Sequence, residues 1–114
     1  MVVQNRRADG KISVVAFNAD EIREMGIKRE NFDAFIEVAR SLEGSLVAIS
    51  VRRSDGDTGC RVSMRSSCNV NVAEICSVFG GGGHVRAAGC TIDTEDVNEA
   101  VRLIVKETER RLMQ

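Results

Sequence analysis

Four consecutive glycines end in a histidine within Phe79-Gly80-Gly81-Gly82-Gly83-His84-Val85-Arg86-Ala87-Ala88-Gly89, and the chemistry this pattern suits is the holding of an anion. Glycine weakens helices and strands alike. A run of four therefore serves close backbone approach, or positive φ angles that turn successive N–H groups toward one point. A phosphate cradle is the favoured reading. The plainer alternative is a connection that ends a helix, which needs only one glycine. Arg52, Arg53, Arg61, Arg65 and Arg86 cluster in the middle of the chain, while acidic residues gather at Asp20, Glu21, Glu24, Glu30, Asp33 and Glu37 and again at Asp93, Glu95, Asp96 and Glu99. The arginines form either a basic face beside the loop or a solvated surface. A net charge of −1 argues against an indiscriminate nucleic-acid coat, which needs a clear basic excess.

The elements that must position these groups follow from periodicity. Residues 11–17 are β-branched and apolar and read as a strand. Asn18-Ala19-Asp20-Glu21 has the form of a capping box, opening a helix that Gly26 ends. A second helix starts at Asn31, with Phe32, Phe35, Ile36, Ala39 and Leu42 on one apolar face. Residues 46–51 read as a strand covered on both sides, and residues 54–59 as the turn of a hairpin. Along 60–66, period two puts Cys60, Val62 and Met64 toward the core and presents Arg61, Ser63 and Arg65. Asn71-Val72-Ala73-Glu74 offers another capping box, for a helix through about residue 79 that delivers the chain into the glycines. Residues 88–92 form a short strand, and Thr94, Glu95 and Asp96 start a final helix carrying Val97, Ala100, Val101, Ile104 and Leu112.

With 114 residues, 43% of them hydrophobic, the chain fits one α/β domain, a mixed central sheet of about four to five strands flanked by helices. No apolar run reaches membrane-spanning length and residues 1–11 lack a signal-peptide pattern, so a cytoplasmic location is expected. Cys60, Cys68, Cys76 and Cys90 are too far apart for a CxxC pair, and His84 is the single histidine. No metal site is expected, and the cysteines read as reduced, mostly buried residues.

Three blocks carry a family resemblance: Val62-Ser63-Met64-Arg65-Ser66-Ser67, Val70-Asn71-Val72-Ala73-Glu74-Ile75, and Phe79-Gly80-Gly81-Gly82-Gly83-His84 with Ala87-Ala88-Gly89. Together they resemble the C-terminal DHH-associated domain of the DHH phosphoesterases, in particular RecJ-like enzymes of the nanoRNase (oligoribonuclease) and phosphoadenosine-phosphate phosphatase type. The likeness is specific over 61–90, and the order of elements from residue 11 onward agrees with it more loosely. It implies that residues 1–114 are a substrate-binding domain, with the reaction carried by a separate domain that holds two manganese ions on Asp and His clusters. This sequence has no Asp-His-His string, so the chain by itself is expected to carry no cofactor and to hydrolyse nothing.

By the same resemblance, Arg65 and Ser66 match the family's Arg-Ser pair. Gly80, Gly81, Gly82, Gly83 and His84 match its Gly-His loop, completed by Ala87, Ala88 and Gly89. The planar guanidinium of Arg65 suits phosphate oxygens. Ser66 adds a donor only if the strand ends or bulges there, since alternation sets it opposite Arg65. His84 either donates to the ligand or pins the loop, and Arg61 and Arg86 are secondary candidates. The partners implied are a short RNA or mononucleotide with a terminal phosphate and the catalytic DHH domain of the same polypeptide. No membrane is involved, and a homodimer is compatible. Two other classes compete: an RNA-binding module of the alanyl-tRNA-synthetase C-terminal type, which typically follows its glycines with arginine, and a nucleotide-sensing domain with no catalytic partner.

Overall fold

The computed structural model describes residues 2–7, 11–28, 31–41, 45–67 and 69–112. The elements run β1 (Val2–Arg7), β2 (Ile12–Phe17), α1 (Ala19–Met25), α2 (Asn31–Arg40), β3 (Val47–Arg52), β4 (Cys60–Ser66), α3 (Val72–Ser77), β5 (Gly82–His84), β6 (Ala87–Ile92) and α4 (Val97–Leu112). All six strands join one sheet in the order β1-β2-β3-β4-β6-β5. β2 and β3 run parallel, joined by the helical crossover such a pair requires, and the other neighbours are antiparallel. The α/β class and the mixed sheet flanked by helices are those read from the sequence. The four periodic strands are β2, β3, β4 and β6, and the edge strands β1 and β5 extend the sheet beyond them.

Side chains close the helix ends. Asn18 Oδ1 accepts the Glu21 N–H at 2.8 Å while Glu21 Oε1 accepts the Asn18 N–H at 3.1 Å, and Gly26 at φ 64° ends α1. Asn71 Oδ1 likewise accepts the Glu74 N–H at 3.1 Å, whereas the Glu74 carboxylate is bonded by Arg111 of α4 at 2.9 Å. α3 stops at Ser77, short of residue 79, because the glycines close it. The Gly80 N–H reaches Ser77 O at 3.1 Å and the Gly81 N–H reaches Cys76 O at 2.9 Å, the paired bonds of a Schellman end with Gly80 at φ 83°. Asp96 Oδ1 accepts the Asn98 N–H at 2.9 Å, so α4 begins just after the acids that announce it.

The sheet is covered unequally. On one face, α3 and α4 bury Ile12, Val14, Val47, Ile49, Val51, Cys60, Val62, Met64, Ala88, Cys90 and Ile92 in a continuous core. On the other, α2 lays Phe32, Ile36 and Ala39 over Val15, Phe17 and Ala48, with Phe17 centred 5.8 Å from Phe32 and 5.0 Å from Phe35. Each fully buried large side chain in these clusters contributes about 1.5–3 kcal/mol. Leu42, the last residue of the expected stripe, lies outside the described residues. Because α2 sits over β2 and β3 and reaches only to β4, the same face of β6 and β5 carries no helix among the described residues.

Candidate functional site

Residues directly opposite one another in antiparallel strands point to the same face. The register therefore lays out the uncovered half of the sheet in cross-strand rows. One row runs Ala48, Arg65, Ala87, His84, the next Ser50, Ser63, Gly89, Gly82, and a third Arg52, Arg61, Thr91. Arg65 and His84 are two strands apart, about 10 Å, with only the methyl of Ala87 between them. Glycines in the second row leave a flat floor. The positions on this half-face that belong to β4, β5 and β6 include no acidic residue, so the permanent charges of Arg61 and Arg65 dominate it. Arg65 is half-buried and gives one N–H to Met64 O at 2.9 Å, which fixes its guanidinium and leaves its other donors available. His84 is exposed at the rim.

The glycine run divides its labour. Gly80 is the helix cap. A Cβ on Gly81 would run into Gly89 O and lie 2.6 Å from Cys90 Cβ, and one on Gly83 would lie 2.7 Å from Ala87 O, so both are needed for β5 to lie on β6. Gly80 and Gly82 open onto free space, and of the two only Gly80 holds a positive φ, at 83°. The N–H groups of Gly80 and Gly81 are spent on α3, so the run is not a nest of four converging donors. It is a cap followed by an edge strand, which turns through Val85 and Arg86 into β6.

Other expected site residues separate by face. β4 neither ends nor bulges before Ser66, which pairs with Val47 in unbroken register and is 1% exposed on the core side, away from Arg65. Ala88 is 7% exposed and packs into the same core. Ala87 and Gly89 line the open face, and Arg61 shares it with Arg65. Arg86 is exposed at the hairpin tip, and its carbonyl accepts the Ser66 N–H at 3.0 Å. Arg53 leaves the arginine group, lying 3.8 Å from Glu95 instead. Ser63, half-exposed between Arg61 and Arg65, belongs with the site, and period two already placed it there. Cys60, Cys76 and Cys90 are buried and form no disulfide, while Cys68 lies outside the described residues. The hydrogen bond with the Cys90 thiol, and after it burial, push the Cys76 thiol far up, and burial raises that of Cys60, so neither is a reactive thiolate.

Fold and face together define an α/β domain that presents a flat, half-uncovered, basic sheet surface beside a Gly-His hairpin. Residues 9–110 match the family model of the DHHA1 domain, and the chain belongs to that family, the domain found in DHH phosphoesterases. Over 83 residues it is 35% identical to the bifunctional oligoribonuclease and PAP phosphatase NrnA of Thermus thermophilus, covering 73% of this chain and 25% of that protein. The chain thus spans about a quarter of the length of its curated relative. Among solved structures, an exopolyphosphatase-related protein from Bacteroides fragilis superimposes with a TM-score of 0.78 at 18% identity, over 88% of this chain and 29% of the other. The C-Ala domain of Aquifex aeolicus alanyl-tRNA synthetase does so with a TM-score of 0.60 at 17% identity, over 94% and 97%. These two likenesses concern the fold.

Proposed function

We propose that this chain binds a nucleotide phosphate on the open half of its sheet, as the substrate-recognition part of a manganese-dependent DHH phosphoesterase acting on short oligoribonucleotides or phosphoadenosine phosphate. The observation that carries the reading is the row Arg65, Ala87, His84. A phosphate above Ala87 would be flanked by a fixed guanidinium and an exposed imidazole, and Gly82 and Gly89 leave room beside it for the ribose and base. Among the described residues no group of three or more His, Cys, Asp or Glu side chains converges, so the two-metal chemistry has no ligand set among them. On this reading the chain positions substrate and a DHH domain supplies the activated water.

The test is an NMR titration with a 5′-phosphorylated ribodinucleotide, run beside Arg65→Ala. Shifts should gather at Arg65, Gly82, His84, Ala87 and Gly89. The variant should bind at least about tenfold more weakly, the worth of a charge-assisted hydrogen bond. No shifts at millimolar nucleotide, or shifts indifferent to Arg65, would sink the reading. Binding of a structured tRNA with no affinity for the dinucleotide would move it to the RNA-module class whose fold the chain shares.

A further inference from the structure

Two thiols that the binding face does not use lie together beneath the glycine turn. Cys76, near the end of α3, is fully buried and Cys90, on β6, is 7% exposed; both belong to the core that α3 and α4 cover. Gly81 sits against both of them. Its N–H is bonded to Cys76 O at 2.9 Å, and a Cβ on it would lie 2.6 Å from Cys90 Cβ. The two thiols hydrogen-bond each other, with Cys76 as the donor. That bond, working against burial and with the Arg61 charge, holds the Cys90 thiol below its ordinary 9.0. Cys60 is no rival partner. It stands diagonal to Cys90 across β4 and β6, about 7–8 Å away and beyond the usual Cα separation of a disulfide, and its thiol donates to Thr94 O at 3.2 Å.

We propose that Cys76 and Cys90 are a site of reversible oxidation, at which a small peroxide closes a disulfide that pins α3 to β6 behind the Gly-His hairpin. The Cys90 thiolate attacks one peroxide oxygen. An S–O bond forms, the O–O bond breaks, and the departing hydroxide takes up the proton that Cys90 released and leaves as water. The Cys76 sulfur then attacks the sulfenic sulfur of Cys90. The S–S bond forms, the S–O bond breaks, and the Cys76 proton goes to the departing oxygen as a second water. The two thiols lose two electrons and the peroxide gains them. Burial admits an oxidant of a few atoms and excludes a protein disulfide. With Cys76 in contact, Cys90 is resolved at the sulfenic stage, short of the irreversible sulfinic acid. The bond closes residues 76–90 into a loop and ties the end of α3 to the strand that carries Ala87 and Gly89. The site needs no nucleotide, so it stands or falls apart from the Arg65 reading.

The experiment treats the folded 114-residue chain with hydrogen peroxide at neutral pH, alkylates the remaining thiols in denaturant and maps the tryptic peptides. Residues 66–86, which hold Cys68 and Cys76, should be joined to residues 87–102, which hold Cys90, and fragmentation should place the bond on Cys76. The oxidised chain should melt about 10 °C above the reduced one, the gain expected for closing so short a loop without strain, and dithiothreitol should remove that gain. In Cys76→Ala, Cys90 should pass to a sulfinic acid that dithiothreitol does not reverse. In Cys90→Ala, Cys76 should stay reduced and be alkylated. A bond to Cys60 or Cys68 instead, or Cys76 and Cys90 both alkylated after peroxide, overturns the proposal. So does a Cys76–Cys90 bond that lowers the melting temperature, since the native fold would then not accommodate it.

Discussion

A methyl group on Gly81 would collide with the backbone of Gly89 and Cys90, whereas one on Gly82 would meet nothing within 4 Å. Gly81→Ala should therefore cost about 1–3 kcal/mol in urea unfolding, the range for forcing extra atoms into packed structure, while Gly82→Ala should stay within about 0.5 kcal/mol. Equal losses would mean that the run acts through backbone freedom alone. The sequence shows four identical letters, and what separates them lies opposite, on β6, out of reach of any local pattern. For the same reason the cradle reading missed the run's division into cap, packing and open positions. Arg65 was legible because alternation along β4 needs only its own neighbours. Ser66, assigned to the ligand through the family's Arg-Ser pair, is instead turned to the core by that same alternation.

The caps at Asn18 and Asn71 and the α2 stripe could be read directly, because each rests on contacts three or four residues apart. The link between α3 and α4 could not, since Glu74 and Arg111 are 37 residues apart. That link is supported from within α4. Arg110 donates to Glu107 at 3.0 and 3.1 Å, and Arg111 Nε lies 3.6 Å from the same carboxylate. The Arg110 hydrogen bonds, followed by the charges of both arginines, hold the Glu107 carboxyl below its ordinary 4.5. A carboxyl depressed in the folded state stabilises the fold above its unfolded value and loses that contribution as pH falls through the lower folded value. Glu107→Gln should therefore flatten the stability profile below about pH 4.5, with only a small cost at neutral pH for a pair this near the surface. An unchanged acid limb in circular-dichroism unfolding would show that the carboxylate contributes nothing there.

Across the whole molecule, one face of the sheet is covered by α3 and α4, and the other is divided between the α2 cluster over β2 and β3 and the half proposed for recognition. Ile36, on α2, is 1% exposed and belongs to the cluster that α2 makes with β2 and β3. Ile36→Ala should cost about 2–5 kcal/mol, within the 5–15 kcal/mol total of a domain this size, and leave nucleotide affinity unchanged. A loss of affinity in the folded variant, measured in the same titration, would show that α2 shapes the binding face. Which half of the sheet stays bare could not be read in advance, because it depends on how β2, β3 and β4 align. β4 itself serves both faces, Cys60, Val62 and Met64 inward and Arg61, Ser63 and Arg65 outward. Inserting or deleting one residue in it would exchange the two sets at a stroke, burying three polar side chains and exposing three apolar ones. The length of this strand is therefore under tighter constraint than its letters: substitutions can tune either face separately, but a frame slip destroys fold and recognition in one event.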